Sequence, residues 1–242
     1  MKKYGLIGKK LGHSFSPSFF QAYFKEHSIN ARYDLIELDS LEKVREAISD
    51  FHGCNVTIPY KEEIIPYLDA LSDEARAIGA VNVIEISEGI LVGHNSDAHG
   101  FHQSIKPFLT NLHERALILG TGGASKAVSH VLKKIGLDVF YISRNPIGEN
   151  QFSYEEINQQ MISSCKIIVN TTPVGMYPDS DALIPMPYEF LTDEHLLVDL
   201  VYNPRKTRFL SEGEANGATI LNGETMLKEQ ALKAYRIWNK DV

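Results

Sequence analysis

Apolar and polar positions along the 242 residues fall into short, nearly unbroken apolar runs separated by longer stretches with helical spacing. In the first half, residues 3–7, 33–38, 53–58, 81–86 and 90–94 read as strands, the last two joined as a hairpin across Ser87-Glu88-Gly89. Helical spacing covers 17–27, 41–49, 72–78 and 98–109, the first with Pro17 in its opening turn and Ser16 as N-cap. In the second half, strands at 116–119, 138–142, 166–170, 196–200 and 219–221 alternate with helices at 126–135, 154–163 and 208–216, and a last helix covers 225–238. Strands that are apolar throughout, such as Ile167-Ile168-Val169, suit a parallel sheet covered on both faces. The pattern predicts two α/β domains, with the last helix packed back against the first.

Composition narrows the class without changing that picture. A hydrophobic content of 43% with 23% charged residues belongs to an ordinary globular protein rather than a disordered or fibrous one. A formal charge of −7 argues against nucleic acid or an anionic membrane as the main partner. Cys54 and Cys165 have no paired spacing, so neither a disulfide framework nor a zinc finger is expected. The apolar stretch after Lys2 and Lys3 is too short for a secretion signal, and no apolar run approaches the ~20 residues of a membrane helix. The expectation is a soluble, cytoplasmic protein.

The chemistry-bearing stretch of the second half is Leu117-Ile118-Leu119-Gly120-Thr121-Gly122-Gly123-Ala124-Ser125, followed by an amphipathic segment. A strand, a glycine turn and a helix in that order open a dinucleotide-binding fold, where helix N-terminal amides meet a pyrophosphate. A strict fingerprint would have a third glycine where Ser125 stands, and a plain tight turn is the alternative. The next strand ends in Ser143-Arg144-Asn145, with an arginine and no carboxylate at its tip, about 23 residues past Gly120. An arginine there accommodates a 2′-phosphate, which points to NADP rather than NAD; the alternative is a solvated loop charge.

In the first half, Asn55-Val56-Thr57-Ile58-Pro59-Tyr60-Lys61 places Asn55 and Thr57 on one side of a strand, with Pro59 fixing a turn that presents Lys61. Asn95-Ser96-Asp97 precedes a helix that Asp97 is placed to cap. A lysine after a turn is ordinarily surface charge, but Lys61 meeting Asp97 would make a pair suited to proton transfer beside a carbonyl. His94, His99 and His102 crowd around Asp97 without the spacing of a metal site, so no metal is expected.

Taken together, these stretches resemble the shikimate dehydrogenases over nearly the whole chain. The matching blocks include Ser14-Phe15-Ser16-Pro17, the Asn55–Lys61 stretch, Gly79-Ala80-Val81-Asn82, Asn95-Ser96-Asp97 and the glycine loop. They continue through Asn170-Thr171-Thr172-Pro173-Val174-Gly175-Met176, Asp199-Leu200-Val201-Tyr202-Asn203-Pro204, and Asn222-Gly223 with Met226-Leu227 and Gln230. The resemblance implies reversible reduction of 3-dehydroshikimate to shikimate by NADPH, on the route to aromatic amino acids. It implies a substrate domain of residues 1–98 plus 223–242, with a mixed, mainly parallel sheet, and a Rossmann-like NADP-binding domain of residues 99–222. Lys61 is implied as the proton-transferring residue, paired with Asp97. Ser14, Ser16, Asn55, Thr57, Lys61, Asn82, Asp97, Tyr202 and Gln230 are implied on the substrate side. Gly120, Thr121, Gly122, Gly123, Ala124, Ser143, Arg144, Asn145, Leu200, Gly223 and Asp73 are implied for the cofactor. The expected partner is a small molecule, and the expected assembly a monomer or homodimer. Members often carry Asn-Arg-Thr and a further basic residue where this chain has Ser143-Arg144-Asn145 and then Gly148 and Glu149. Two other readings fit the same blocks: a quinate/shikimate dehydrogenase, and an NADP-binding module without catalysis.

Overall fold

The structure, a computed structural model, describes residues 1–12 and 14–240. In chain order the first half runs β1 (Lys2–Gly8), α1 (Phe15–Glu26), β2 (Ala31–Glu37), α2 (Val44–Ala47), β3 (Gly53–Val56), α3 (Tyr60–Glu63), β4 (Ala70–Leu71), α4 (Asp73–Ile78), β5 (Val83–Ser87) and β6 (Ile90–His94). The second half runs α5 (Asp97–Ile105), β7 (Arg115–Leu119), α6 (Gly123–Lys134), β8 (Asp138–Ile142), β9 (Gln151–Phe152), α7 (Gln159–Ser164), β10 (Ile167–Asn170), β11 (Leu196–Asp199), α8 (Arg208–Ala215), β12 (Thr219–Leu221) and α9 (Glu224–Asn239). The chain forms two compact units, Met1–His99 with Gln230–Val242, and Gly100–Glu229.

The sheet of the first unit has the order β2-β1-β3-β5-β6-β4. β1 pairs in parallel with β2 and β3, β4 in parallel with β6, and β5 is antiparallel to β3 and β6. Alternation along the strands sorts the side chains onto two faces. Tyr4, Leu6 and Val83 join Phe20, Phe24, Ala231, Ala234 and Trp238 under α1 and α9. Ile7, Val56 and Ile84 join Val44, Ile48, Tyr60 and Ile64 on the face of α2 and α3. Trp238 fastens α9 to the sheet: its ring stacks on Tyr4 at 4.7 Å, and Nε1 donates to the Ile84 carbonyl at 3.1 Å.

The second unit has an all-parallel sheet of order β12-β11-β10-β7-β8-β9. The chain winds outward from β7 to β9, returns to the centre at β10 and winds the other way. This two-halved order is that of dinucleotide-binding folds, with the reversal lying between β7 and β10. Ala116 to Leu119, Ile167 to Val169 and Leu196 to Val198 are buried along their whole lengths, as a sheet covered on both faces requires.

Several local expectations change. Ser14, not Ser16, occupies the N-cap position of α1, and its hydroxyl donates to the Leu11 carbonyl at 2.9 Å instead of capping the helix. The helix expected over 154–163 is broken: Ser153 and Glu156 close a capping box on a short 3₁₀ turn, and Asn158 then caps α7. Side-chain bonds to the backbone here offer the chain an alternative to one continuous helix. The segment 41–49 forms only the single α turn of α2, yet Leu41, Val44 and Ile48 all reach the same core. The edge strands β4 and β9 are two residues long and left no periodic signal.

Candidate active site

Lys61 lies on α3, one turn of helix, rather than on an open turn. The turn is held from both ends. The Tyr60 hydroxyl donates to the Leu38 carbonyl at 2.5 Å, and the Lys61 carbonyl accepts from the Val81 amide at 2.7 Å. Lys61 Nζ donates to Asp97 Oδ2 at 2.6 Å, with side-chain exposures of 17% and 9%, so water screens the pair little. Asp97 is the first residue of α5, and it does not cap that helix: Asn95 Oδ1 accepts from the Ala98 amide at 3.1 Å. The Asp97 carboxylate is thereby left for Lys61 and for Asn82, whose Nδ2 donates to Oδ1 at 2.9 Å.

Asn82 is itself locked. Its Oδ1 accepts from the Ser96 amide at 2.7 Å, which leaves Nδ2 to face Asp97 and Ser96 Oγ. Ser96 Oγ in turn lies 3.4 Å from Gln230 Oε1 on α9. Asn55 Nδ2 donates to the Asn82 carbonyl at 3.2 Å, and Asn55 Oδ1 accepts from the Tyr33 hydroxyl at 2.8 Å. Asn55, Asn82, Ser96, Asp97 and Gln230 are all buried, a concentration of polar groups that only mutual hydrogen bonding makes tolerable. Ser16 reaches the same network through a hydrogen bond to Tyr33, while Ser14 and Thr57 are half-buried beside it in sequence. Ser96 lies inside the Asn95-Ser96-Asp97 block, where the sequence assigns it no role of its own, and Tyr33 carries no motif signal that separates it from other core aromatics. Burial holds the Tyr33 phenol well above its ordinary range.

In the second unit, Gly120 directly follows β7 with φ of +106°, a conformation that L side chains rarely adopt. A Cβ there would meet Thr171 Oγ1 at 2.8 Å, because Thr171 caps the strand by donating to the Leu119 carbonyl. Gly122, at the N-cap of α6, has nothing within 4 Å of its Cβ position and gives the helix no side-chain cap. The first turn of α6 carries no acidic residue. Ser125, standing where a third glycine would, is buried and turns its hydroxyl back onto the Gly122 carbonyl at 2.6 Å. Thr121, Gly123 and Ala124 remain exposed or half-buried around an open helix N-terminus, a shape that fits a pyrophosphate.

At the end of β8, Ser143 Oγ accepts from the Asn145 amide at 3.2 Å, and exposed Arg144 forms no ion pair among the described residues. Leu200 and Gly223 meet backbone to backbone: a Cβ on Gly223 would fall 2.3 Å from the Leu200 carbonyl oxygen. Tyr202 is half-buried in this unit, with its phenol pushed up by desolvation, and Asp73 is exposed at the start of α4 in the first unit. His94 faces Glu85 at 3.2 Å, and among the described residues no three His, Cys, Asp or Glu side chains gather as a metal would require.

An all-parallel sheet of this order, with a glycine turn opening onto an uncapped helix, defines a doubly wound dinucleotide-binding protein. The sequence model of the shikimate dehydrogenase substrate binding domain matches residues 6–84. The NADP(+) shikimate dehydrogenase of Clostridium beijerinckii is 39% identical over 99% of this chain and 93% of its own. That of Aquifex aeolicus is 37% identical over 98% and 90%. The crystal structure of shikimate 5-dehydrogenase from Thermus thermophilus in complex with NADP(H) and shikimate superposes with a TM-score of 0.87 at 34% identity, covering 99% of this chain and 94% of that one. The chain belongs to the shikimate dehydrogenase family.

Proposed function

We propose that this protein is an NADP-dependent oxidoreductase that interconverts 3-dehydroshikimate and shikimate, a step toward aromatic amino acids. The observation that carries the reading is the 2.6 Å contact between Lys61 and Asp97 inside a buried polar network, joined to family membership over the whole chain. A small polyhydroxylated acid offers little apolar surface, so its site must consist of hydroxyls, amides and a cation. We assign Ser14, Ser16, Asn55, Thr57, Asn82, Asp97, Tyr202 and Gln230 to that task. Residues 1–98 with 223–242 are assigned to the substrate, and residues 99–222 to the dinucleotide.

The nicotinamide, when bound, supplies the hydride that reduces the ketone carbon. The residues of this chain handle the charge that results. Negative charge develops on the ketone oxygen, and the Lys61 ammonium donates a proton to it, so that C=O becomes CH–OH. Asp97 accepts hydrogen bonds at both oxygens, from Asn82 and Lys61, and so acts as a fixed carboxylate that aims the ammonium. In the reverse direction neutral Lys61 takes the hydroxyl proton. The glycine loop from Gly120 to Ala124 would hold the pyrophosphate, and Ser143, Arg144 and Asn145 the adenosine ribose with its 2′-phosphate. Leu200, Gly223 and Asp73 complete the cofactor assignment.

No helix among the described residues is long and apolar enough to cross a membrane, and we place the enzyme in the cytoplasm as a monomer or homodimer without nucleic-acid or membrane partners. Ser16, rather than threonine, favours shikimate over quinate. The test is NADPH formation from NADP and shikimate, run in parallel with quinate and with NAD. Absence of turnover with every pair would refute the reading, and cofactor binding without shikimate binding would leave only a dinucleotide-binding module.

A further inference from the structure

Tyr33 sits on β2 inside an aromatic layer, 5% exposed, with its ring stacked on Phe20 at 4.6 Å. A phenylalanine would fill that space equally well, and a hydroxyl among Phe20, Phe24, Val83 and Trp238 is unfavourable unless it is hydrogen-bonded. Its bonds lead out of the core to two residues assigned to the substrate. Tyr33 is bonded to Asn55 on β3 at 2.8 Å and to Ser16 in the first turn of α1.

The direction of those bonds follows from the groups beyond them. Asn55 Nδ2 faces the Asn82 carbonyl at 3.2 Å, and a carbonyl only accepts. Asn55 therefore turns Oδ1 toward Tyr33, and the phenol commits its single proton to that oxygen. Ser16 must then be the donor to Tyr33 Oη. One buried hydroxyl thus secures the oxygen end of the Asn55 amide, whose other end is held by the Asn82 carbonyl, and determines where the Ser16 hydroxyl points.

We propose that Tyr33 is a positioning residue for substrate recognition, holding Ser16 and Asn55 in a shared orientation from behind without touching the substrate itself. The inference rests on the shikimate reading above. Ser16 and Asn55 come from a helix and a strand, and the Tyr33 hydroxyl is the group that bonds to both. Without the phenol, the Asn55 amide keeps only its bond to the Asn82 carbonyl, its buried oxygen loses a donor, and the Ser16 hydroxyl loses its acceptor.

The experiment is Tyr33→Phe, with steady-state kinetics for shikimate and NADP and calorimetric binding of NADP to the free enzyme. The expected result is a KM for shikimate raised roughly tenfold, the scale of one buried partner lost, with kcat within about threefold and the NADP affinity unchanged. An unchanged KM for shikimate would overturn the proposal, as would a joint weakening of shikimate and NADP, which marks general loosening. Should Tyr33→Phe fail to fold, 3-fluorotyrosine at position 33 retains the hydroxyl while altering its strength as donor and acceptor. A shikimate KM that shifts while NADP binding stays constant supports the proposal, and an unmoved KM overturns it. No turnover of shikimate by the parent enzyme would overturn the functional reading and this one together; normal parent turnover beside an unmoved variant would overturn this one alone.

Discussion

Asn82 holds Asp97 in place: Nδ2 of the amide donates to Oδ1 of the carboxylate at 2.9 Å, while the Ser96 main chain grips the other end of the amide at 2.7 Å. The backbone N–H of Ser96 can only donate, so the amide has one orientation and always presents a donor to the carboxylate. Asp97 is in turn 2.6 Å from Lys61. The position of the lysine is therefore set by a chain of bonds anchored in the backbone at the start of α5.

Replacing Lys61 by alanine is expected to lower kcat by about 10²–10⁴-fold, the usual range for a positioned proton donor, and also to lower the melting temperature, because Oδ2 of the buried Asp97 carboxylate loses its partner. Asp97→Asn keeps the shape and removes the charge that aims the ammonium, and the same order of loss in kcat is expected. Turnover measured beside thermal melts checks both, and full activity in both variants would refute the assigned chemistry.

Asn82→Ala is expected to do two separable things. It leaves a buried carboxylate oxygen and a buried amide without partners, a loss of about 1–3 kcal/mol in stability that denaturant melts would read. It also lets the Lys61–Asp97 pair move, so kcat should fall at saturating shikimate. A variant less stable but fully active would show that Asn82 is structural only.

Arg144→Ala should raise the KM for NADP about ten- to a hundredfold, the range for one or two bonds to a charged group, and leave the KM for NAD nearly unchanged. The ratio of kcat/KM for the two cofactors is the measurement. An unaltered ratio would return Arg144 to the status of a solvated loop charge.

Gly120→Ala forces a side chain into a backbone conformation with φ of +106° and against Thr171. The turn must open to admit it, at a cost of about 1–3 kcal/mol. Calorimetry should show weaker NADP binding while shikimate binding to the free enzyme is retained. Equal weakening of both ligands would argue against the division of labour proposed here.

Asp199 gives a pH prediction with a definite sign. It is fully buried at the end of β11, accepting from Thr207 Oγ1 at 2.6 Å, Asn170 Nδ2 at 2.9 Å and the Val201 amide at 3.0 Å. These three donors are all neutral, and desolvation outweighs them, so its pKa is raised from 3.8 to about 6. The folded state binds this proton more tightly than the unfolded chain does. Its contribution is present in full below pH 3.8 and is lost as the pH rises through 6, about 3 kcal/mol at most. Urea melts between pH 4 and pH 7 should show this component in the parent and not in Asp199→Asn.

Local signals were enough for much of this protein. The run from Ala116 to Lys134, strand into glycine turn into helix, was legible because each step depends on neighbouring residues: apolar continuity, left-handed freedom at Gly120 and helical spacing after Gly123. The short apolar runs at 3–7 and 81–86 likewise marked β1 and β5 as strands. Capping was less legible, because Ser14, Ser16, Asn95 and Asp97 are chemically able to cap a helix, and the choice among them depended on competing partners elsewhere.

What only the tertiary structure decided is which distant groups meet. Asp97 is left free of its helix because Asn95 takes the Ala98 amide, and its carboxylate then meets Lys61, 36 residues earlier. Tyr33 reads as one more core aromatic until the sheet order brings β2, β1 and β3 side by side and its hydroxyl comes within reach of Asn55, 22 residues further on. The pattern of a sequence records how each segment prefers to be buried. Hydrogen-bond direction in a buried network depends instead on what lies opposite, and that is fixed only when the segments pack.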